Sequence, residues 1–121
     1  WYDKRAAPYN PSPLVYGDEF YTLFDFGFLA CRDARTGSVH FDKERINPDK
    51  SIGFTASPWA YRGHVFALSE AGETYVFLAG KEYKLVKVNY TGGMSMANPA
   101  LAADRLILRN QTHLFSIRAK R

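Results

Sequence analysis

A single cysteine in 121 residues, Cys31, leaves no intrachain disulfide to form. Its neighbours Leu29 and Ala30 predict a buried thiol on a strand, the common fate of a lone cysteine. A catalytic thiol would need a partnered base, and no residue pattern points to one. No apolar run approaches the roughly 18 residues of a membrane-spanning helix, and no secretory leader is visible. Charge is not concentrated either. The net charge is +4, carried largely by "DRLILRNQTHLFSIRAKR", where basic and apolar residues interleave. That interleaving predicts a solvated basic face and argues against nucleic-acid binding. The three histidines, His40, His64 and His113, have no metal-ligand spacing among them or with Cys31. The carboxylate pairs Asp18–Glu19, Asp42–Glu44 and Glu70–Glu73 read as separate turn residues, not as a calcium loop. "TGGMSMANP" has Gly92 and Gly93 but no following helix or Lys-Ser/Thr, so it is not a phosphate loop.

What the sequence does have is aromatic and apolar content, 16% and 46%, in short runs. Those runs repeat. "SPLVYGDEFYTLFDFGFLA" from Ser12, "SPWAYRGHVFALSEAGETY" from Ser57 and "NPALAADRLILRNQTHLFS" from Asn98 align on Pro13, Pro58 and Pro99. Tyr16 then falls on Tyr61, and Tyr21 falls on Phe66 and Ile107. Phe20 falls on Val65 and Leu106, Leu23 on Leu68, and Gly27 on Gly72. With one residue skipped after Leu108, Leu114 falls on Leu29. A period in the low forties with strand-like content is the spacing of a propeller blade.

Each copy has one inner grammar. A small polar residue and Pro open a short strand. A turn follows, then an apolar strand, a second turn and a third strand; "DARTG" and "AGKE" lead the first two copies into a fourth. This predicts an all-β chain of about three four-stranded antiparallel meanders, with residues 11–46 and 56–91 as blades and 97–121 as an incomplete one. Residues 99–109 tempt as a helix, but Pro99 and the alignment make them strand. Apolar residues on both faces suit sheets stacked between neighbours. Met94 and Met96 then read as core filler on an interblade connection. Trp59, Tyr61, Tyr75 and Tyr83 read as interblade packing before they read as a sugar or peptide platform.

The first copy, "SPLVYGDEFYTLFDFGFLACRDARTGSVHF", resembles the β-propeller repeat of pyrroloquinoline-quinone-dependent dehydrogenases and their non-enzymatic relatives. Ser12, Pro13, Gly17, Gly27, Leu29, Ala30, Asp33, Thr36 and Gly37 fit it. His40 and Phe41 stand near the place of the family's tryptophan. The resemblance implies that Asp33 and Thr36 hold the turn by hydrogen bonds and that a tryptophan packs between blades. The enzymes of the family bind quinone and Ca²⁺ on a complete eight-bladed ring and use a vicinal cysteine pair, which a single Cys31 cannot supply. The expectation is therefore a non-catalytic module without cofactor or metal, a scaffold for a protein or glycan partner. The alternative is a piece of a quinoprotein-like dehydrogenase. By the same likeness the chain belongs in the periplasm or at the cell surface, as part of a larger bacterial protein. Residues 1–6, "WYDKRA", are expected to be an outer strand of a preceding blade. In a homodimer of six blades, that strand would complete the partner's last sheet.

Overall fold

The computed structural model describes residues 1–120, and among them the chain forms strands and turns without a helix. The first sheet is β1 (Leu14–Tyr16), β2 (Glu19–Phe24), β3 (Phe28–Asp33) and β4 (Val39–Arg45). The second is β5 (Trp59–Tyr61), β6 (His64–Leu68), β7 (Glu73–Leu78) and β8 (Leu85–Tyr90). The third is β9 (Ala100–Ala102), β10 (Arg105–Arg109) and β11 (Leu114–Arg118). Every pairing is antiparallel between strands consecutive in the chain. The architecture is a partial β-propeller with two four-stranded blades and one of three strands. Each sheet opens on the residue after an aligned proline. Proline has no N–H to give a ladder, so it stands just outside the first paired residue.

The sequence repeat is also a hydrogen-bond repeat. Ser12 N donates to Ser57 Oγ at 2.9 Å, and Ser57 N donates to Asn98 Oδ1 at 2.7 Å. The small polar residue before the second and the third proline thus receives the backbone N–H of its counterpart one blade earlier. At the end of the sheets away from "DARTG", Phe54 N donates to Asp25 O and Ser95 N to Glu70 O. Ile46 N donates to Gly27 O and Thr91 N to Gly72 O in the same way. These bonds satisfy connection backbone that a packed interior would otherwise strand.

The main core lies between the first two sheets. Tyr21, Leu23, Leu29 and Cys31 meet Val65, Ala67, Tyr75 and Phe77 across it, with Ile46, Ile52 and Phe54 from the connection. A smaller cluster, Ala56, Leu68 and Leu108 with Trp59, Leu106 and Phe115 around it, joins the second sheet to the third. The outer strands β4 and β8 are mostly exposed, so the two-faced apolar pattern holds for the inner strands only.

Residues 1–6 correct the expectation of an outer strand. They pair with no strand, and Lys4 and Arg5 sit in a turn. Side chains fix this segment where a ladder does not. Trp1 meets Phe20 edge-on at 5.3 Å and donates from Nε1 to Ala34 O at 3.0 Å. Its indole lies on Gly37, where an added Cβ would fall 2.6 Å from a ring carbon. Asp3 pairs with the buried Arg32 at 2.8 Å. The tryptophan that docks on the "DARTG" turn is therefore Trp1, while Phe41, near the expected position, packs edge-on to Tyr83 at 5.7 Å. A segment held this way on its own first sheet is not free to complete a partner's last one.

Candidate functional site

At the hairpin end of the sheets the two seams differ. The first is closed by two tyrosine hydroxyls. Gly63 N donates to Tyr16 Oη at 2.9 Å, and Gly80 N donates to Tyr21 Oη at 2.8 Å. Burial pushes the Tyr21 phenol up to about 12, so it stays neutral in this role. Tyr83, from the turn between β7 and β8, fills the remaining space against Phe41 and Phe77.

The second seam carries Tyr61 and Phe66 at the corresponding positions. Phe66 has no hydroxyl, and Tyr61 is 45% exposed. A cleft of about 360 Å³ opens here, with Trp59, Tyr61, Phe66, Leu101, Leu106 and Ile117 in its wall. Trp59 stacks on Phe66 at 5.2 Å with the rings 11° apart, which gives the cleft a flat aromatic floor. Arg62 lies over the Tyr61 ring at 5.1 Å. Arg105, Arg118 and Lys120 also reach the cleft, against the single carboxylate of Asp104. Arg62 and Ala103 turn the hairpins beside it at φ 46° and 53°, where the first hairpin uses Gly17 at 64°. Non-glycine residues there hold a conformation that costs about 1 kcal/mol or more.

The third sheet turns Leu106, Leu108, Phe115 and Ile117 toward the second. Strand alternation then gives Arg105, Ile107 and Arg109 of β10, with Leu114, Ser116 and Arg118 of β11, positions on the opposite face, although Arg105 and Arg118, at the strand ends, also border the cleft. The interleaved charges of the terminal segment are therefore not scattered: three arginines share one face. Period 2 across "RLILR" was the signal that could have shown it. Arg105 Nη1 donates to Ser116 Oγ at 3.0 Å, and Asp104 lies 3.9 Å from both Arg105 and Arg118. β11 pairs with β10 alone, so its other edge has no neighbouring strand among the described residues.

The remaining candidates fall elsewhere. Asp33 Oδ1 accepts from Arg35 N, Thr36 N and Thr36 Oγ1 at 2.8–3.0 Å. Those bonds, led by the one from Thr36 N, hold its carboxyl below the usual range, so "DARTG" is architectural. Cys31 is buried, and burial pushes its thiol up to about 12. The four aromatics divide: Tyr75 and Tyr83 pack in the first seam, Trp59 and Tyr61 line the open one. Met94 and Met96 are not core filler. They are 52% and 50% exposed on the connection before β9, where no strand covers them. His40 is on β4, His64 on β6, and His113 in the turn before β11. No group of His, Cys, Asp or Glu among the described residues has metal-binding geometry. No described helix is long and apolar enough to cross a membrane.

No family profile matches the chain, and no curated protein matches it in sequence. Among solved structures, the crystal structure of BamB from Moraxella catarrhalis is similar at a TM-score of 0.44 and 14% identity. The match covers 88% of this chain and 41% of that one. The likeness is distant, and the architecture stands on the three sheets themselves.

Proposed function

We propose that the chain is a non-catalytic propeller segment that presents the end of its sheet stack to a protein partner. The observation that carries this reading is the contrast between the seams. One is sealed by Tyr16, Tyr21 and Tyr83. The other opens an aromatic cleft with arginines around it. An aromatic floor with arginine at the rim is the composition of protein interfaces. The resemblance of the first copy to that propeller repeat supports the periplasm or the cell surface as the location of such a scaffold, which fractionation of the producing cell tests.

Selection from a displayed library of extended peptides, run beside a glycan array, tests the function. Enrichment of peptides whose binding falls on Trp59→Ala supports it. Binding of glycans alone, or saturable calorimetric binding of quinone with Ca²⁺, overturns it.

A further inference from the structure

Two outer strands are complete within the chain and are followed by further sheets. β4 runs on into the connection to β5, and β8 into the connection to β9, so each ends its sheet with one side unpaired among the described residues. The two edges are built differently. β4, "VHFDKER", carries Asp42, Lys43, Glu44 and Arg45, its register with β3 shifts at two places, and Lys43 sits at φ 46°. Charge and bulging are the usual guards of an exposed edge. β8, "LVKVNY", carries one charge, Lys87, and all six of its residues are exposed. Val86, Val88 and Tyr90 are residue types that favour strands. Its one register shift lies near the Leu85 end, and residues 87–90 pair regularly with 73–76.

Two bonds fix the hydrogen-bonding phase of β8. Thr91 N donates to Gly72 O at 3.0 Å, one step beyond the Glu73–Tyr90 pair, and Ser69 N donates to Glu73 O at 2.8 Å on the other side of β7. Antiparallel alternation therefore turns the backbone groups of Lys87 and Asn89 toward β7, and those of Val88 and Tyr90 outward. The side chains alternate as well. Val88, opposite the buried Tyr75, and Tyr90 stand on the face of the first seam, 45% and 74% exposed. Lys87 and Asn89 stand on the other face. None of these residues lines the aromatic cleft.

We infer that β8 pairs antiparallel with β8 of a second copy of this chain, with Asn89 on the twofold axis. In that register Val88 lies opposite Tyr90 of the second copy, and Tyr90 opposite Val88 of the second copy. Both are outward residues, so each such pair exchanges main-chain bonds in both directions: Val88 N donates to Tyr90 O, and Tyr90 N to Val88 O. The side chains agree with the backbone. A β-branched residue meets an aromatic one, a favoured cross-strand combination. Asn89 meets Asn89, and an amide can donate and accept at once. Lys87 falls opposite Thr91, so no like charges are opposed. An axis on Val88 would instead set Tyr90 against Val86, where the register with β7 shifts. The contact is isologous and closes at two copies. One strand pair is smaller than a standard interface, so the dimer is weak and forms at roughly 0.1–1 mM chain.

The inference stands apart from the cleft, and its test keeps the two apart. Sedimentation equilibrium of the chain from about 10 μM to about 1 mM should show a monomer passing to a dimer. Asn89→Lys and Asn89→Glu each put like charges across the axis on an exposed position, and each should weaken association about fivefold or more. An equal mixture of the two variants puts opposite charges there and should associate about tenfold more tightly than either alone. Trp59→Ala should leave association unchanged. In the unaltered chain, hydrogen exchange at Val88 and Tyr90 should slow as concentration rises, a readout that does not depend on any variant folding. A chain that stays monomeric to about 1 mM overturns the inference, and so does exchange at those two amides that ignores concentration. Association that survives both single variants, that the mixture does not restore, or that Trp59→Ala abolishes would place the contact elsewhere and also overturn it. Peptide binding at Trp59 in a monomeric chain would leave the scaffold reading standing while this inference falls.

Discussion

The two seams have the same plan at one end and opposite character at the other. At the connection end, Asp25 with Phe54 and Glu70 with Ser95 make the same backbone bond one repeat apart. At the hairpin end, Tyr21 reaches Gly80 across the first seam, and its counterpart Phe66 stacks on Trp59 in the open cleft. The backbone repeat is therefore preserved while side chains decide whether a seam seals. Burial follows. β2 and β3 are buried through their centres, whereas β10 buries only Leu108 and β11 buries none of its residues. Cohesion in this stack is concentrated between the first and second sheets.

The sharpest way to break the comparison is to truncate one aromatic in each seam. Phe77 is 2% exposed in the first seam, so Phe77→Ala should cost about 3–5 kcal/mol. Phe115 in the second seam is only partly buried, and Phe115→Ala should cost roughly half as much or less. Urea unfolding of both variants checks this. Equal costs would mean that the second seam is as cohesive as the first.

Glycines on the two sides give the next contrast. Gly37, at φ 75°, lies under Trp1, and Gly63, also at φ 75°, has open space around it. Gly63→Ala should cost only the backbone strain, about 1 kcal/mol. Gly37→Ala adds the loss of Trp1 docking, roughly 1–2 kcal/mol more. It should also expose the segment ahead of Pro13 to proteases while the three sheets persist. If the two variants behave alike, Trp1 does not anchor that segment.

A conservative change can then turn one seam toward the other. Tyr21→Phe copies Phe66 into the first seam and leaves Gly80 N without the hydroxyl that accepts its hydrogen bond. The loss should be about 1–2 kcal/mol. Cys31, beside Tyr21 in that seam, provides the readout. Its thiol is buried and protonated, so the unaltered chain should resist thiol reagents near pH 8, and Tyr21→Phe should react faster. Phe66→Tyr in the open seam should shift stability by less than about 0.5 kcal/mol. Identical thiol kinetics in Tyr21→Phe and the unaltered chain would show that the hydroxyl does not close the first seam.

Much of this was legible in the residues. Pro13, Pro58 and Pro99 mark the three sheet starts because proline physics is local, and "EFYTLF" and "RLILR" are β2 and β10 to the residue. Asp33 and Thr36 read as turn-holders for the same reason. What was not legible depends on which strand lies beside which. "WYDKR" has strand composition, but a strand needs a neighbour, and Trp1 and Asp3 bind side by side to Gly37, Phe20 and Arg32 instead. Met94 and Met96 look like core because methionine usually is, yet their connection runs over the surface. The candidate site was half legible. Trp59 and Tyr61 stood out, but only the missing hydroxyl at Phe66 and the shared face of the arginines make a site of them.

The smallest expected effect lies on the connections. Between the first and second sheets, Lys50 Nζ meets Glu73 Oε1 at 2.6 Å, and Tyr75 Oη donates to Glu73 Oε2 at 2.7 Å. The bond from Lys50 leads in holding the Glu73 carboxyl below its usual range, and the bond from Tyr75 adds to it. A carboxyl depressed in the folded state favours folding above its unfolded value, about 4.3, and loses that contribution as pH falls through the folded value. Protonation therefore removes the tie on the acid side of the unfolded value. Lys50→Met should lower the urea midpoint slightly at neutral pH, because Lys50 is half exposed and the pair is screened. The gap to the unaltered chain should narrow as pH falls through and below the unfolded value, and close once Glu73 is protonated in both. A gap that stays constant across that range would assign the loss to the packing of the lysine stem and not to its charge.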